Sequence, residues 1–169
     1  MDLREYKGKS PIVAASAYVD SRATLIGDVI VEEDVGIWPG VVVRADEARI
    51  VLKRGTMVLE NSIIEAAKGL PLTIGPGAII SHGAIVHGAN IGENSTVGIG
   101  AIVLEGAIVH PQVVIGSGAL VPPGWEVPSG KLVLGIPGKI ARDLTVQDRE
   151  NSLQEQLLLA EKVKQYRQT

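Results

Sequence analysis

Aliphatic residues recur at six-residue intervals along most of the chain. Between Val19 and about Leu132, one Val, Ile or Leu after another opens a six-residue unit, and a small residue usually follows four places later. The opening residues are Val19, Leu25, Val31, Ile37, Val43, Leu52, Val58, Ile64, Ile74, Ile80, Val86, Ile91, Val97, Val103, Val109, Ile115, Val121 and Val127. A short period repeated this often predicts a repeat architecture built from stacked units.

A unit of this kind can form one short strand followed by one turn. Three units then close a triangular coil, and successive coils pair their backbones about 4.8 Å apart. Stacking buries a column of Val and Ile side chains that a single unit could not bury alone. The pattern resembles that of hexapeptide-repeat proteins, which implies an all-β, left-handed parallel β-helix, an exception to the usual right-handed crossover rule.

The end of the chain has a different character. Thr145-Val146-Gln147-Asp148 resembles the N-terminal cap of a helix. A mostly helical spacing of apolar residues follows, at Leu153, Leu157, Ala160, Val163 and Tyr166. The sequence therefore predicts a β-helix over residues 1–138 and a C-terminal helical segment over residues 139–169, which packs on the coil or on a neighbouring subunit.

Composition and charge narrow the classes of function. A length of 169 residues fits one domain. The net charge of −3, without a stripe of Lys and Arg, argues against nucleic-acid binding. The chain has no cysteine, so a bound metal would have to be held by His and carboxylate side chains. Without a signal-peptide pattern or a run of about 18 apolar residues, we expect a cytoplasmic protein that does not enter a membrane.

Coil geometry turns sequence intervals into spatial neighbours, because every third unit returns to the same face. The residues that directly follow the opening aliphatic on one face are Arg44, Glu65 and His87, so we expect them in a vertical column about one coil apart. The six-residue period is interrupted at residues 45–51 and 66–73, directly after Arg44 and Glu65. We expect loops to leave the coil beside this column.

His82 lies in a unit on the preceding face and at a different place within its strand. Within one chain it could not easily reach the column. Three copies around a threefold axis would bring His82 of one copy to Glu65 and His87 of the next. Three protein ligands with an open position are what a catalytic zinc requires, so the sequence favours a homotrimer with a shared metal site.

Several stretches resemble the gamma class of carbonic anhydrases, and the likeness covers nearly the whole chain. They are Ile80-Ser81-His82-Gly83-Ala84-Ile85-Val86-His87-Gly88, Ile37-Trp38-Pro39-Gly40, Arg44-Ala45-Asp46 and Gly135-Ile136-Pro137-Gly138-Lys139. The resemblance implies a trimer that holds zinc, iron or cobalt through three histidines shared between two subunits, and that hydrates carbon dioxide to bicarbonate. It matches two of those histidines to His82 and His87, and it gives Arg44 and Asp46 the role of an intersubunit ion pair beside the metal.

Two positions depart from the pattern of that family. Glu65 occupies the place of the first ligand histidine, and Leu59 occupies the place of a Gln that positions the attacking hydroxide. A long acidic loop that carries a proton-shuttling Glu in some members is also absent. Two histidines and a carboxylate are still a known catalytic zinc set, but Glu65 could equally pair with Arg44.

The candidate metal ligands are therefore His82, His87 and Glu65, supported by Glu60, Arg44 and Asp46. We expect Glu60 one coil below His82, where it would orient that histidine or form a salt bridge across the interface. Trp38 and Pro39 are interpreted as interface packing, and His110 as a solvated residue.

Three function classes stay open. The first is an enzyme of the gamma carbonic anhydrase type acting on carbon dioxide and bicarbonate. The second is a structural or assembly trimer that has lost the chemistry. The third, for which no residues match, is a hexapeptide-repeat acyltransferase or thioesterase, because fold alone does not determine function.

Overall fold

The repeat units fold into short strands that stack in register. In the computed structural model, which describes residues 1–168, the aliphatic residues that open the units point inward and most are fully buried. This confirms the predicted left-handed parallel β-helix with a C-terminal helix. The strands are β1 (Asp2–Arg4), β2 (Ile12–Val13), β3 (Tyr18–Val19), β4 (Thr24–Val31), β5 (Gly36–Ile37), β6 (Val42–Leu52), β7 (Met57–Val58), β8 (Ile63–Glu65), β9 (Leu72–Ile74), β10 (Ile79–Ile80), β11 (Ile85–His87), β12 (Asn90–Ile91), β13 (Thr96–Val97), β14 (Ile102–Val103), β15 (Ile108–Val109), β16 (Val114–Ile115), β17 (Leu120–Val121), β18 (Glu126–Val127), β19 (Lys131–Leu134) and β20 (Lys139–Asp143), and the helix is α1 (Val146–Tyr166).

Parallel pairing arranges the strands into three faces of a prism. The first face contains β1, β4, β6, β8, β11, β14 and β17. The second face contains β2, β9, β12, β15 and β18, and it shares the long strands β4 and β6 with the first. The third face contains β3, β5, β7, β10, β13, β16 and β19. Strand β20 pairs antiparallel with β19 and ends the coil.

Buried hydroxyl groups link successive coils. Thr56, Ser62 and Ser95 have no exposed surface, and each donates a hydrogen bond to a backbone carbonyl of the next coil, at 3.1, 2.8 and 2.9 Å. Because a buried polar group without a partner is costly, these bonds allow small hydroxyl side chains in an otherwise aliphatic core.

The two interruptions of the period take different forms. The predicted loop at residues 45–51 is a bulge within β6 and not a separate loop. Ala45, Ile50 and Val51 pair with β4, whereas residues 46–49 have no register partner and lie opposite the single residue Asp28. A side chain at Gly27 would collide with the carbonyl of Ala45. At residues 66–73 the chain makes a tight turn closed by an antiparallel bridge between Ala67 and Leu70.

Helix α1 lies along the third face. Its predicted start is confirmed: Thr145 and Asp148 form a reciprocal capping box.

No helix within residues 1–168 has the length and apolar content needed to cross a lipid bilayer. Thr169, the last residue of the predicted helical segment, lies outside the described residues.

The contact face of α1 agrees with the predicted apolar residues only in part. Val163 is buried as predicted, and Leu159 is buried beside it, whereas Leu153 and Leu157 are exposed. The buried pair packs with Trp38, so the interpretation of Trp38 as a subunit-interface residue is wrong: the chain's own helix covers it. Trp38 contacts the side of α1 that faces the coil. The spacing of apolar residues within the helix could not reveal which side that is.

Candidate functional site

The column predicted on the first face is confirmed. Arg44 on β6 is the register partner of Glu65 on β8, which is in turn the partner of His87 on β11. All three side chains follow an inward aliphatic residue and therefore point away from the core. Neighbouring strands of the coil thus hold a guanidinium, a carboxylate and an imidazole one above the other.

Arg44 bridges two carboxylates at the base of this column. Its Nη1 donates to Asp46 Oδ2 at 2.7 Å, and its Nη2 forms a salt bridge with Glu65 Oε1. The hydrogen bonds that Arg44 donates, first to Asp46 and then to Glu65, raise the pKa of Arg44 above its ordinary value. The planar fork of a guanidinium suits it to hold two carboxylates at once.

The second oxygen of Glu65 faces the histidine. Glu65 Oε2 lies 3.6 Å from Nδ1 of His87, which is too long for a hydrogen bond. Arg44 therefore engages one oxygen of Glu65, while the other oxygen and an imidazole nitrogen lie side by side at the outer surface.

His82 belongs to a separate pair. It follows β10 at the corner between the third and first faces, and its Nε2 lies 3.2 Å from Glu60 Oε2, one coil below. The predicted position of Glu60 beneath His82 is thus confirmed. The pair borders a cavity of about 210 Å³ whose other walls include Trp38, Leu59 and part of α1.

No three His, Asp or Glu side chains within residues 1–168 come together as a group that could hold a metal ion. One chain brings together Glu65 with His87 and, separately, Glu60 with His82. His110, the remaining histidine, lies elsewhere and is 2.6 Å from Glu126, so it is paired as well as partly exposed.

Comparison with known proteins adds what one chain cannot show, although no family model matches the sequence. The chain is 36% identical over 161 residues to a carbonic anhydrase of Geobacillus kaustophilus, covering 85% of this chain and 79% of that protein. It is 34% identical over 146 residues to the mitochondrial gamma carbonic anhydrase 2 of Arabidopsis thaliana, covering 83% of this chain but only 52% of the plant protein. The chain belongs to the gamma carbonic anhydrase family.

The fold of this gamma carbonic anhydrase family member also matches solved structures. A hexapeptide transferase family protein from Anaplasma phagocytophilum superposes with a TM-score of 0.94 at 30% identity, over 98% of both chains. The chain spans about half the length of the plant carbonic anhydrase it matches.

The family member carries an apolar column that sequence reasoning missed. It occupies the outward position just before the buried residue on each strand of the first face, next to the column of Arg44, Glu65 and His87. Its members pair in register and are Val42, Ile63, Ile85, Ile102 and Leu120. The sequence could have revealed this column, because the residues just before the buried position are all aliphatic on these five strands of the first face. On strands β9, β12, β15 and β18 of the second face, the corresponding residues are mostly polar: Thr73, Asn90, Ile108 and Glu126.

One atom beside the column lacks a partner. Asp46 Oδ1 is buried and accepts no hydrogen bond from any described residue. A buried carboxylate oxygen ordinarily has a donor, and none of the described residues supplies one here.

Proposed function

We propose that this gamma carbonic anhydrase family member forms a homotrimer that binds a divalent metal between subunits and catalyses the reversible hydration of carbon dioxide. His82 of one copy and Glu65 with His87 of the next would be the ligands. The observation that carries the proposal is the pairing of Glu65 Oε2 with His87 Nδ1 at 3.6 Å, together with a third ligand candidate on a different face of the prism.

The donor atoms fit such a metal. Two imidazoles and one carboxylate form a known catalytic zinc set with an open fourth position. Ligand atoms bound at about 2.0–2.2 Å in a tetrahedron lie about 3.3–3.5 Å apart, close to the 3.6 Å between Glu65 Oε2 and His87 Nδ1. Imidazole and carboxylate ligands suit iron and cobalt as well as zinc, so the donor set does not select the metal.

The residues around the ligands support this arrangement. Arg44 holds Glu65 through Oε1 and leaves Oε2 available, and Glu60 lies within hydrogen-bonding distance of His82. Partners of this kind orient metal ligands in other proteins. The positive charge of Arg44 also competes with a metal for Glu65, so we expect binding weaker than with three histidines.

A metal held by these residues would lower the pKa of water far below its ordinary value, and would so supply hydroxide for attack on carbon dioxide near neutral pH. The negative charge of Glu65 disfavours the loss of that proton. Leu59, where the family has a hydrogen-bonding Gln, offers no polar group to hold the attacking oxygen. Hydration should therefore be slow near neutral pH and increase as the pH rises.

A second copy of the chain would supply what the first face lacks. It would cover the column of five outward aliphatic residues and could donate a hydrogen bond to Asp46 Oδ1. The same contact would bring His82 from a neighbouring copy towards Glu65 and His87.

Co-expression of two differently tagged variants, His82→Ala and His87→Ala, tests the shared site. Each chain alone lacks a ligand, so each homotrimer should contain almost no metal. In randomly mixed trimers, about a quarter of the interfaces would combine an intact His82 with an intact His87. We therefore expect metal by elemental analysis at about a quarter of the wild-type content, with hydration activity in proportion.

Two results would contradict the proposal. Mixed trimers with no more metal than the single variants would exclude a site shared in this way. Wild-type protein that stays metal-free after incubation with zinc, iron and cobalt would exclude metal chemistry, and would favour the assembly role.

A further inference from the structure

A crevice of about 220 Å³ separates the first half of α1 from the third face. Its floor consists of the outward side chains of Ile79, Thr96 and Val114, which are register partners on β10, β13 and β16. Leu144 and Leu153 add apolar walls. None of the residues that line it also lines the cavity beside His82.

The polar lining of this crevice carries one charge. Its neutral polar side chains are Asn94, Thr96, Gln112, Ser152 and Gln156. Arg149 is the only charged residue among the described residues that line it. The cavity beside His82 is different, because Glu60, Glu155 and Lys162 all line it.

Arg149 is positioned by neutral acceptors. Its Nη1 donates to Gln112 Oε1 at 2.8 Å, and its Nη2 lies 3.5 Å from the carbonyl oxygen of Leu144. No carboxylate within residues 1–168 forms a salt bridge with it. The nearby Asp143, whose pKa is lowered by Lys131 and more weakly by Arg149, is itself held by Lys131. A cation that is oriented but not neutralised favours an anionic ligand.

We propose that this crevice binds a small organic monocarboxylate, with its carboxylate on Arg149 and its apolar body over Ile79, Val114 and Leu153. An engineered apolar cavity of about 150 Å³ accommodates benzene, which has six carbon atoms. In the same proportion, 220 Å³ accommodates about nine non-hydrogen atoms, the size of benzoate. The site is independent of the proposed metal site, since the two share no residue.

Methyl NMR of protein treated with EDTA tests this inference with benzoate as the probe. We expect saturable shifts of the methyl signals of Ile79, Val114 and Leu153, with a Kd around the millimolar range for so small a ligand. Benzyl alcohol has the same ring without the charge, and it should bind at least about fivefold more weakly, because a charged partner strengthens a hydrogen bond.

Three variants localise the site. Arg149→Gln should weaken benzoate binding at least about fivefold, whereas Arg54→Gln, which removes another exposed charge, one that is paired with Glu33, should leave it unchanged. Val114→Phe should block the crevice, and it keeps the inference testable if Arg149→Gln disturbs the helix. Thermal melting of each variant establishes that it is folded.

The inference fails if benzoate causes no saturable shifts at the crevice. It fails equally if Arg149→Gln binds benzoate as the wild type does, or if the methyl signals that shift belong to residues beside His82, such as Leu59, instead. None of these results bears on the co-expression test of the metal site, which measures metal alone.

Discussion

The first and third faces of the prism both present aliphatic side chains outward, but only the third has a cover within the chain. On the third face, α1 buries Met57 almost completely and leaves Trp38 only 5% exposed. On the first face, Ile63, the second residue in a column of five aliphatic residues, is 40% exposed. The burial of apolar surface drives association as well as folding. The difference teaches that the helix covers one sheet, whereas the aliphatic column of the other has no cover within the described residues and is the surface on which we propose that a second copy packs.

The first prediction, with the largest expected effect, places a charge on the first face, which we call the open face because none of the described elements covers its aliphatic column. Ile63→Lys should convert the proposed trimer, whose mass would be about 53 kDa at three times 17.8 kDa, into a monomer, because an unpaired ammonium is costly to bury at an interface. Metal binding should disappear with the trimer. Sedimentation and elemental analysis measure the two effects.

Ile108→Lys is the matched control. Ile108 is an outward strand residue of the second face with nearly the same exposure, 42%, but Asn90 and Glu126 flank it. We expect it to remain trimeric. Dissociation of both variants would mean that the open face has no special role.

The second prediction concerns the covered face. Leu159→Ala should lower the free energy of unfolding by about 2–5 kcal/mol, because it leaves a cavity between α1 and Trp38. Leu157→Ala, on the exposed side of the same helix, should change it by less than about 0.5 kcal/mol. Leu159 is 8% exposed and Leu157 is 54% exposed. Urea unfolding compares them, and equal effects would show that α1 does not pack on the coil through Leu159.

Sequence alone predicted the coil and the polar column, because inward aliphatic residues determine the register of each strand. It did not predict the contact face of α1, since Leu157, Leu158 and Leu159 place a leucine on three sides of the helix. It predicted a loop at residues 45–51, where the structure has a bulge within β6. The missing aliphatic period marks residues 46–49, which have no register partner on β4.

The third prediction tests whether Glu65, in the polar column of Arg44, Glu65 and His87, occupies a metal-ligand position. Glu65→His removes the salt bridge to Arg44 and restores the three-imidazole set of the family. We expect metal affinity to rise about tenfold or more, the size of effect that changes around metal ligands produce, and hydration to rise with it. Equilibrium dialysis and stopped-flow measurements follow the two quantities.

Glu65→Gln serves as the control, because it removes the charge of Glu65 without adding an imidazole, and it should not raise metal affinity. If Glu65→His binds more metal but hydrates no faster, the absence of a polar group at Leu59 limits the reaction. If it binds no more metal, Glu65 does not occupy a ligand position.

The smallest predicted effect lies at the start of α1. Hydrogen bonds from Arg142 and then Thr145 hold the carboxylate of Asp148 and lower its pKa well below its ordinary value. A carboxylate whose pKa is lower in the folded than in the unfolded state stabilises the fold at every pH above the unfolded-state pKa. This stabilisation is lost as the pH falls towards the pKa of the folded state. Asp148→Asn should therefore lower the melting temperature by a few degrees at pH 7, and the gap to wild type should narrow below about pH 4. Glu150→Gln, an exposed change in the same turn, should alter it less at either pH. Circular dichroism melts at several pH values measure this, and a gap that stays constant down to strongly acidic pH would show that the cap does not depend on the charge of Asp148.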